Sequence, residues 1–122
     1  MKTIVKLAAR GDGVDAAGGF HAGAVPGDSI ADDGSIIPGP HRTDPACRHF
    51  GTCGGCQLQQ VDDEAYSAFL VDRIESALLS QGLSLPEMRA PILSPPHSRR
   101  RASLKALRLG KRIVLGFSEE RS

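Results

Sequence analysis

The chain has 122 residues and a formal net charge of +1, with 15 basic against 14 acidic side chains. Hydrophobic residues make up 40% and aromatic residues 4%, which is material for one modest core and little stacking surface. No apolar run approaches the ~20 residues of a transmembrane helix, and Lys6 and Arg10 interrupt the first segment too soon for a signal-peptide core. Membrane, collagen-like and disulfide-scaffold classes are therefore excluded, and a cytoplasmic monomer with no membrane partner is expected.

Eleven of the 14 glycines fall in the first sixty residues, so the two halves differ in architecture. Ile4-Val5-Lys6-Leu7 reads as a short strand ended by the turn Arg10-Gly11-Asp12-Gly13. Gly18-Gly19 and Pro26-Gly27-Asp28 are further turns around Phe20–Val25, and Ser29-Ile30 and Ser35-Ile36-Ile37 are further short strands. Strands at this spacing predict a small barrel or meander; the alternative on composition is a Gly-rich arm without fixed structure.

All three cysteines lie within ten residues, Cys47-Arg48-His49-Phe50-Gly51-Thr52-Cys53-Gly54-Gly55-Cys56. Two thiolates separated by two residues can wrap one metal centre. Gly54 and Gly55 permit the positive φ angles such a knuckle often uses, and their amides can bond to cluster sulfur. Metal centres of this kind want four ligands, so a fourth comes from elsewhere or from His49. On spacing alone, iron–sulfur and zinc are equally compatible. A set of three free thiols, or a redox pair at Cys53 and Cys56, is the plainer alternative.

The second half opens with Asp62-Asp63-Glu64, acids that suit a helix N-terminus. Tyr66, Phe69, Leu70, Ile74, Ala77 and Leu78 then recur at helical spacing until Gly82, predicting an amphipathic helix of about 18–20 residues with a core-facing stripe. Pro86, Pro91, Pro95 and Pro96 mark an extended connector. From His97 to Phe117 the chain carries Arg99, Arg100, Arg101, Lys105, Arg108, Lys111 and Arg112 and no acid. Alternation over residues 101–106 predicts a half-buried strand with one basic face. Gly110-Lys111 then supplies a turn, and a return strand points Ile113, Leu115 and Phe117 inward. A bulge near Ala106 reconciles Leu104 with Leu107 and Leu109. So dense a run of positive charge is a polyanion-binding signal; a solvated edge that discourages strand pairing explains it equally well.

Taken together, these segments resemble the bacterial RNA uracil-5-methyltransferases. Cys47 through Gln59 is similar to that family's iron–sulfur signature. Arg10–Gly13 and Ala24–Asp28 look like the two landmarks of its N-terminal TRAM domain, a small RNA-binding β-barrel. Ala65-Tyr66, Ser94-Pro95, Arg100-Arg101-Ala102 and Leu115-Gly116-Phe117 resemble landmarks of its central domain. Departures from the pattern are a short stretch between Gly27 and Cys47, Arg100 where many relatives have Tyr, and Leu70 where they have a basic residue.

The resemblance implies an α+β chain in three parts. Residues 1–40 would be a TRAM-like, OB-like RNA-binding β-domain, abbreviated relative to a full barrel. Residues 41–60 would be a cluster loop in which Cys47, Cys53 and Cys56 supply three of four ligands to a [4Fe–4S] cluster. Residues 61–122 would be part of a central α/β domain, with Arg99, Arg100, Arg101, Lys105 and Arg108 on the phosphates of structured rRNA or tRNA. Methylation at uracil C5 needs a nucleophilic thiolate, a base and a site for S-adenosylmethionine. In this family a C-terminal Rossmann-like domain supplies the cofactor site, and no strand, Gly-rich loop and helix unit for it exists here. The family's fourth cluster cysteine falls past Ser122. The chain is accordingly expected to be an inactive N-terminal portion, with no catalytic residue and with S-adenosylmethionine bound only by the full-length enzyme. The competing expectation is a self-contained zinc module that binds nucleic acid through Cys47, His49, Cys53 and Cys56.

Overall fold

A computed structural model describes residues 1–119; Glu120, Arg121 and Ser122, the end of the segment assigned to a central domain, lie outside the described residues. The elements are β1 (Lys2–Leu7), β2 (Gly13–Asp15), β3 (Phe20–His21), β4 (Ser29–Ile30), β5 (Ile36–Ile37), α1 (Asp63–Ser80), β6 (Lys105–Leu109) and β7 (Arg112–Gly116). The class is α+β, as the sequence predicts. Strands β1 to β5 form an antiparallel sheet in the order β3-β2-β1-β4-β5, curled into half a barrel, and β6 and β7 form a separate hairpin. The Gly-rich half is thus built structure and not a loose arm. Strand β2 has no counterpart in the sequence reading, because Gly13-Val14-Asp15 is too short to show periodicity.

Strand β1 holds the sheet together, pairing with β2 on one side and β4 on the other. Its register against β2 shifts between Ile4 and Lys6. This irregularity turns Ile4 and Leu7 to the same buried side, three residues apart, while Val5 stays exposed. Ile4 packs with Ala24 and Ile30 in one cluster, and Leu7 packs with Val25, Val61, Ala65 and Phe69 in the other. The second cluster is where the helix meets the sheet.

The turn Ala24–Asp28 is stitched to β1 by Gly27 N–H donating to Ile4 O (2.8 Å) and Ile4 N–H donating to Asp28 O (2.9 Å). The Asp28 side chain is fully buried. Its carboxylate accepts from Val25 N (2.9 Å), Gly39 N (2.7 Å), and Arg42 Nη2 (2.5 Å) and Nε (3.2 Å). Burial pushes this carboxyl up, but the Arg42 hydrogen bond and the Gly39 and Val25 amides outweigh it and hold it below the ordinary 3.8.

Helix α1 follows from its caps. Asp62 Oδ1 accepts from Ala65 N at 2.8 Å, and Asp63 and Glu64 occupy the first turn. At the other end Gly82 takes φ +71°, Gly82 N–H donates to Leu79 O (3.0 Å) and Leu83 N–H donates to Leu78 O (3.1 Å), a Schellman closure. Only the first two turns pack on the sheet: Ala65 and Phe69 are buried and Tyr66 and Leu70 half-buried, whereas Ile74 and Ala77 face solvent. The predicted apolar stripe is therefore a core contact at its N-terminal end alone.

The hairpin corrects three expectations. Its first strand is Lys105–Leu109, later than the alternation at 101–106 suggests. The ladder runs unbroken from Lys105↔Gly116 to Leu109↔Arg112, without a bulge at Ala106. Ile113, Leu115 and Phe117 are 71%, 64% and 54% exposed, and no described element covers either face. A bulge is unnecessary where neither face is buried. The two-residue turn at Gly110-Lys111 is as predicted, with Gly110 at φ +63°.

Removing the Asp28 carboxylate leaves the Val25 and Gly39 amides without their acceptor and the partly exposed Arg42 guanidinium without its ion-pair partner. Asp28→Ala is expected to lower stability in urea denaturation by about 3–5 kcal/mol. Because the folded-state pKa of Asp28 is depressed, its contribution is present above pH 3.8 and lost as pH falls further.

Candidate functional site

Residues 38–62 leave the sheet and return to it as one long loop, closed at its base. Arg42 bridges Val61, Thr43 N–H donates to Gln60 O (2.9 Å), and Asp62 N–H donates to His41 O (2.9 Å). His41 Nδ1 also donates to Asp62 Oδ2 (3.0 Å), so the loop's entry is tied to the helix cap. Gly11 explains why the first turn lies against this loop. It sits at φ +94°, and a Cβ there would stand 3.0 Å from Gln57 Cβ and 3.2 Å from Leu58 Cδ2.

The three cysteines lie at the loop's far end, Cys47 and Cys56 exposed and Cys53 half-buried, all as free thiols. Tight turns run through them: Phe50 N–H donates to Cys47 O (3.2 Å) and Cys53 N–H to His49 O (3.0 Å). The backbone N–H of Gly55 donates to Cys53 Sγ at 3.4 Å, within reach for sulfur. Gln59 Oε1 accepts from Cys47 N (3.0 Å), and Gln57 Nε2 donates to Gly54 O (3.2 Å). The left-handed residue of the loop is Gly51, at φ +96°, and not Gly54 or Gly55.

Gly54 and Gly55 serve close approach instead. Gly54 N–H donates to Ser118 O at 2.7 Å, and Cys53 bridges Glu119. A Cβ on Gly54 would stand 2.9 Å from Ser118 O, and one on Gly55 would meet the Phe117 ring at 3.5 Å. The segment after β7 thus clasps the cysteine loop, joining Gly54 to Ser118 across 64 positions of sequence.

The basic residues are exposed but do not share one face. Arg99, Arg100 and Arg101 precede β6 in the extended connector. Lys105 and Arg108 lie on β6 at positions of opposite parity, so they project from opposite faces of the hairpin. Arg108 Nε donates to Gly110 O (3.3 Å). The single basic face predicted for this strand is replaced by a basic approach with cations on both sides.

Two groups escaped the sequence reading. His41, Asp62 and Glu64 bring donor atoms within 4.8 Å of one another, and no such close group among the described residues contains a cysteine. The Asp62 hydrogen bond raises the His41 pKa above 6.5 against desolvation, with the Asp62 and Glu64 charges adding to the effect. His49, the fourth zinc ligand of the competing reading, receives the Arg48 Nε hydrogen bond on Nε2 (3.3 Å). The second group is Gln60, 4% exposed, whose Oε1 is buried without a hydrogen-bond partner among the described residues. It borders a cleft of about 580 Å³ between the Arg10–Asp12 turn and the cysteine loop, with Phe50, Cys56 and Gln57 also on its walls. An orphaned amide oxygen costs about 1–3 kcal/mol, and no periodicity or motif signals it.

Fold and loop together define a class: a small curled β-domain carrying an exposed three-cysteine loop and a basic hairpin. No protein-family profile matches the chain. An RNA methyltransferase of Zymomonas mobilis, named as uncharacterized, is 48% identical over 122 residues, covering 100% of this chain and 31% of that protein. One from Rhizobium meliloti is 38% identical over 138 residues, covering 98% and 33%. The 23S rRNA uracil-C5-methyltransferase RlmD of Thiobacillus denitrificans is 35% identical over 91 residues, covering 71% and 21%. The chain is a relative of these RNA methyltransferases, and it spans about a third of the length of the curated relatives it matches from end to end. No helix among the described residues is long and apolar enough to cross a membrane.

Gly54→Ala is expected to break the clasp, since Ser118 O would have to move. Amide exchange in β6 and β7 should speed up, while urea stability of the β1–β5 sheet changes by no more than about 0.5 kcal/mol. His41→Gln tests the loop's base. In the wild type, the stabilisation from protonated His41 is complete below pH 6.5 and lost as pH rises through its raised value. The variant's unfolding midpoint should lack that slope.

Proposed function

We propose that this chain is the RNA-gripping, cluster-bearing portion of an S-adenosylmethionine-dependent RNA uracil-5-methyltransferase that forms 5-methyluridine in rRNA or tRNA. The observation that carries the reading is the 48% identity, over 122 residues, to a protein named as an RNA methyltransferase. Residues 1–40 are the TRAM-like domain, 41–60 the cluster loop, and 61–122 part of an RNA-contacting central domain. Methyl transfer is assigned to the two thirds of the relatives' length that this chain does not match, and the 122 residues alone perform none.

The donor set suits a [4Fe–4S] cluster at three corners. Cys47, Cys53 and Cys56 stand at the tip of an otherwise well-anchored loop, and the Gly55 amide already points at the Cys53 sulfur. When bound, the cluster supplies a covalent cross-link among the three sulfurs. The chain's own residues do the rest. Arg42 and Asp62 hold the loop's base, Gly54 and Gly55 dock the hairpin, and the exposed guanidinium groups of Arg99, Arg100 and Arg101 meet phosphates. Lys105 and Arg108 extend that contact to both faces of the hairpin. A partner of this kind is bound through counterion release, so the affinity is salt-sensitive and largely indifferent to sequence.

Two measurements test the reading. Protein reconstituted without oxygen should contain iron and acid-labile sulfide in near-equal amounts, and Cys53→Ser should lose both. One zinc per chain without sulfide would overturn the cluster in favour of a zinc module. For RNA, Arg100→Ala and Arg101→Ala should each weaken binding to all sequences alike. Each should also reduce the slope of log affinity against log salt by about 0.7 on single strands. Unchanged slopes would remove these residues from the interface.

A further inference from the structure

The cleft beside the cysteine loop has the chemistry of a pocket for one unpaired nucleobase. Its formal charges cancel, with Arg10 and Arg42 set against Asp12 and Asp44. The Arg42 guanidinium is already engaged by Asp28 and by Gly23 O (2.9 Å). A cleft of this balance does not concentrate phosphate; it suits a neutral, flat group rich in hydrogen-bonding atoms. Phe50, half-buried on the wall, offers a ring for stacking.

Gln60 supplies the second observation. Its Nε2 donates to Gly23 O over a long 3.4 Å, and that carbonyl already receives the shorter Arg42 bond. This donor contact also fixes which end of the amide is oxygen, since Oε1 could not face a carbonyl. Among the described residues the Oε1 atom is left without a partner. Turning the carboxamide toward the cleft leaves Gly23 satisfied by Arg42 and presents a donor and an acceptor side by side, the pairing that a base edge complements.

We infer that this cleft takes a single unstacked base of an RNA strand. The base stacks on Phe50 and pairs with the Gln60 carboxamide, while the sugar–phosphate backbone passes the Arg10 rim. The inference rests on the reading that this chain binds RNA, and it adds a base-contacting site to what would otherwise be phosphate contacts alone. Cys56 lines the same cleft, so an occupant of the pocket and whatever the cysteine binds share a wall.

Fluorescence anisotropy with short fluorescein-labelled oligouridylate and oligoadenylate, and with a blunt RNA duplex of similar charge, tests it on the full 122-residue chain. Single strands should bind more tightly than the duplex, and free uridine or adenosine monophosphate should not compete at equal concentration. Phe50→Leu should weaken single-strand binding about tenfold, the scale of one base–aromatic stack, without altering the salt slope or duplex affinity. Gln60→Met should weaken the single strands likewise without lowering the unfolding midpoint, because it removes the orphaned oxygen. Wild-type protein that binds strand and duplex equally, with both variants silent, overturns the pocket and leaves the RNA reading standing. A lower midpoint with unchanged affinity in Gln60→Met, or equal losses on strand and duplex in Phe50→Leu, makes these residues structural and overturns it too. Competition by a free mononucleotide at equal concentration would make the cleft a small-molecule site instead. Absence of any RNA binding by the wild type defeats the RNA reading and the pocket with it.

Discussion

The buried carboxylate of Asp28 is the point on which the rest of this structure turns. It gathers the Val25 amide from its own turn, the Gly39 amide from the strand exit, and the Arg42 guanidinium from the base of the cysteine loop. Three chain segments are therefore fixed to one another by a single group. With the core limited to two small clusters, the polar junction sets the angle at which the long loop leaves the sheet. A buried ion pair is a poor source of net stability but a demanding one in geometry, since every donor around it must be in place.

From that junction the parts of the chain are arranged outward by how deeply they are packed. The sheet and the first two turns of α1 form the packed body, the loop's base is bridged at Arg42 and Val61, and the cysteines stand at its tip. Beyond them the hairpin touches the described body through the clasp at Gly54 and Phe117, with both of its own faces in solvent. Two-stranded hairpins are marginal alone. Here the conformation of the cysteine loop and the position of the cationic strands are linked, because the same backbone clasp serves both. The cysteine loop and the strands that carry Lys105 and Arg108 are thus parts of one structural unit.

Much of this was legible in the sequence where local chemistry decides. The helix limits followed from Asp62 and Gly82, the hairpin turn from Gly110-Lys111, and the cysteine loop from spacing. What the sequence concealed depends on tertiary context. The bulge in β1 that turns Leu7 inward and the burial of Asp28 leave no trace in periodicity. The same holds for the role of Gly54 as a spacer against Ser118. The alternation at 101–106 misled because period-two patterning implies a buried side, and the hairpin has none among the described residues. The pairing of Cys53 with Glu119 could not be read from two segments so far apart. The candidate ligands were visible as residue types, whereas the neighbouring cleft and the orphaned Gln60 oxygen emerge only when the first turn and the loop are folded together.

The clasp also makes the helix, connector and hairpin one closed circuit, fastened where Cys53–Gly54 meets Ser118–Glu119. Closing such a circuit depends only weakly on its length, since doubling a flexible loop adds about 0.6 kcal/mol. Insertions or deletions within the Pro-punctuated stretch from 83 to 104 are accordingly cheap over evolutionary drift. The fastening itself has no such latitude: one residue more or fewer between Cys53 and Cys56 would move the Gly54 amide off the Ser118 carbonyl. Length variation among homologues should therefore accumulate in the connector and stop abruptly at the glycine pair.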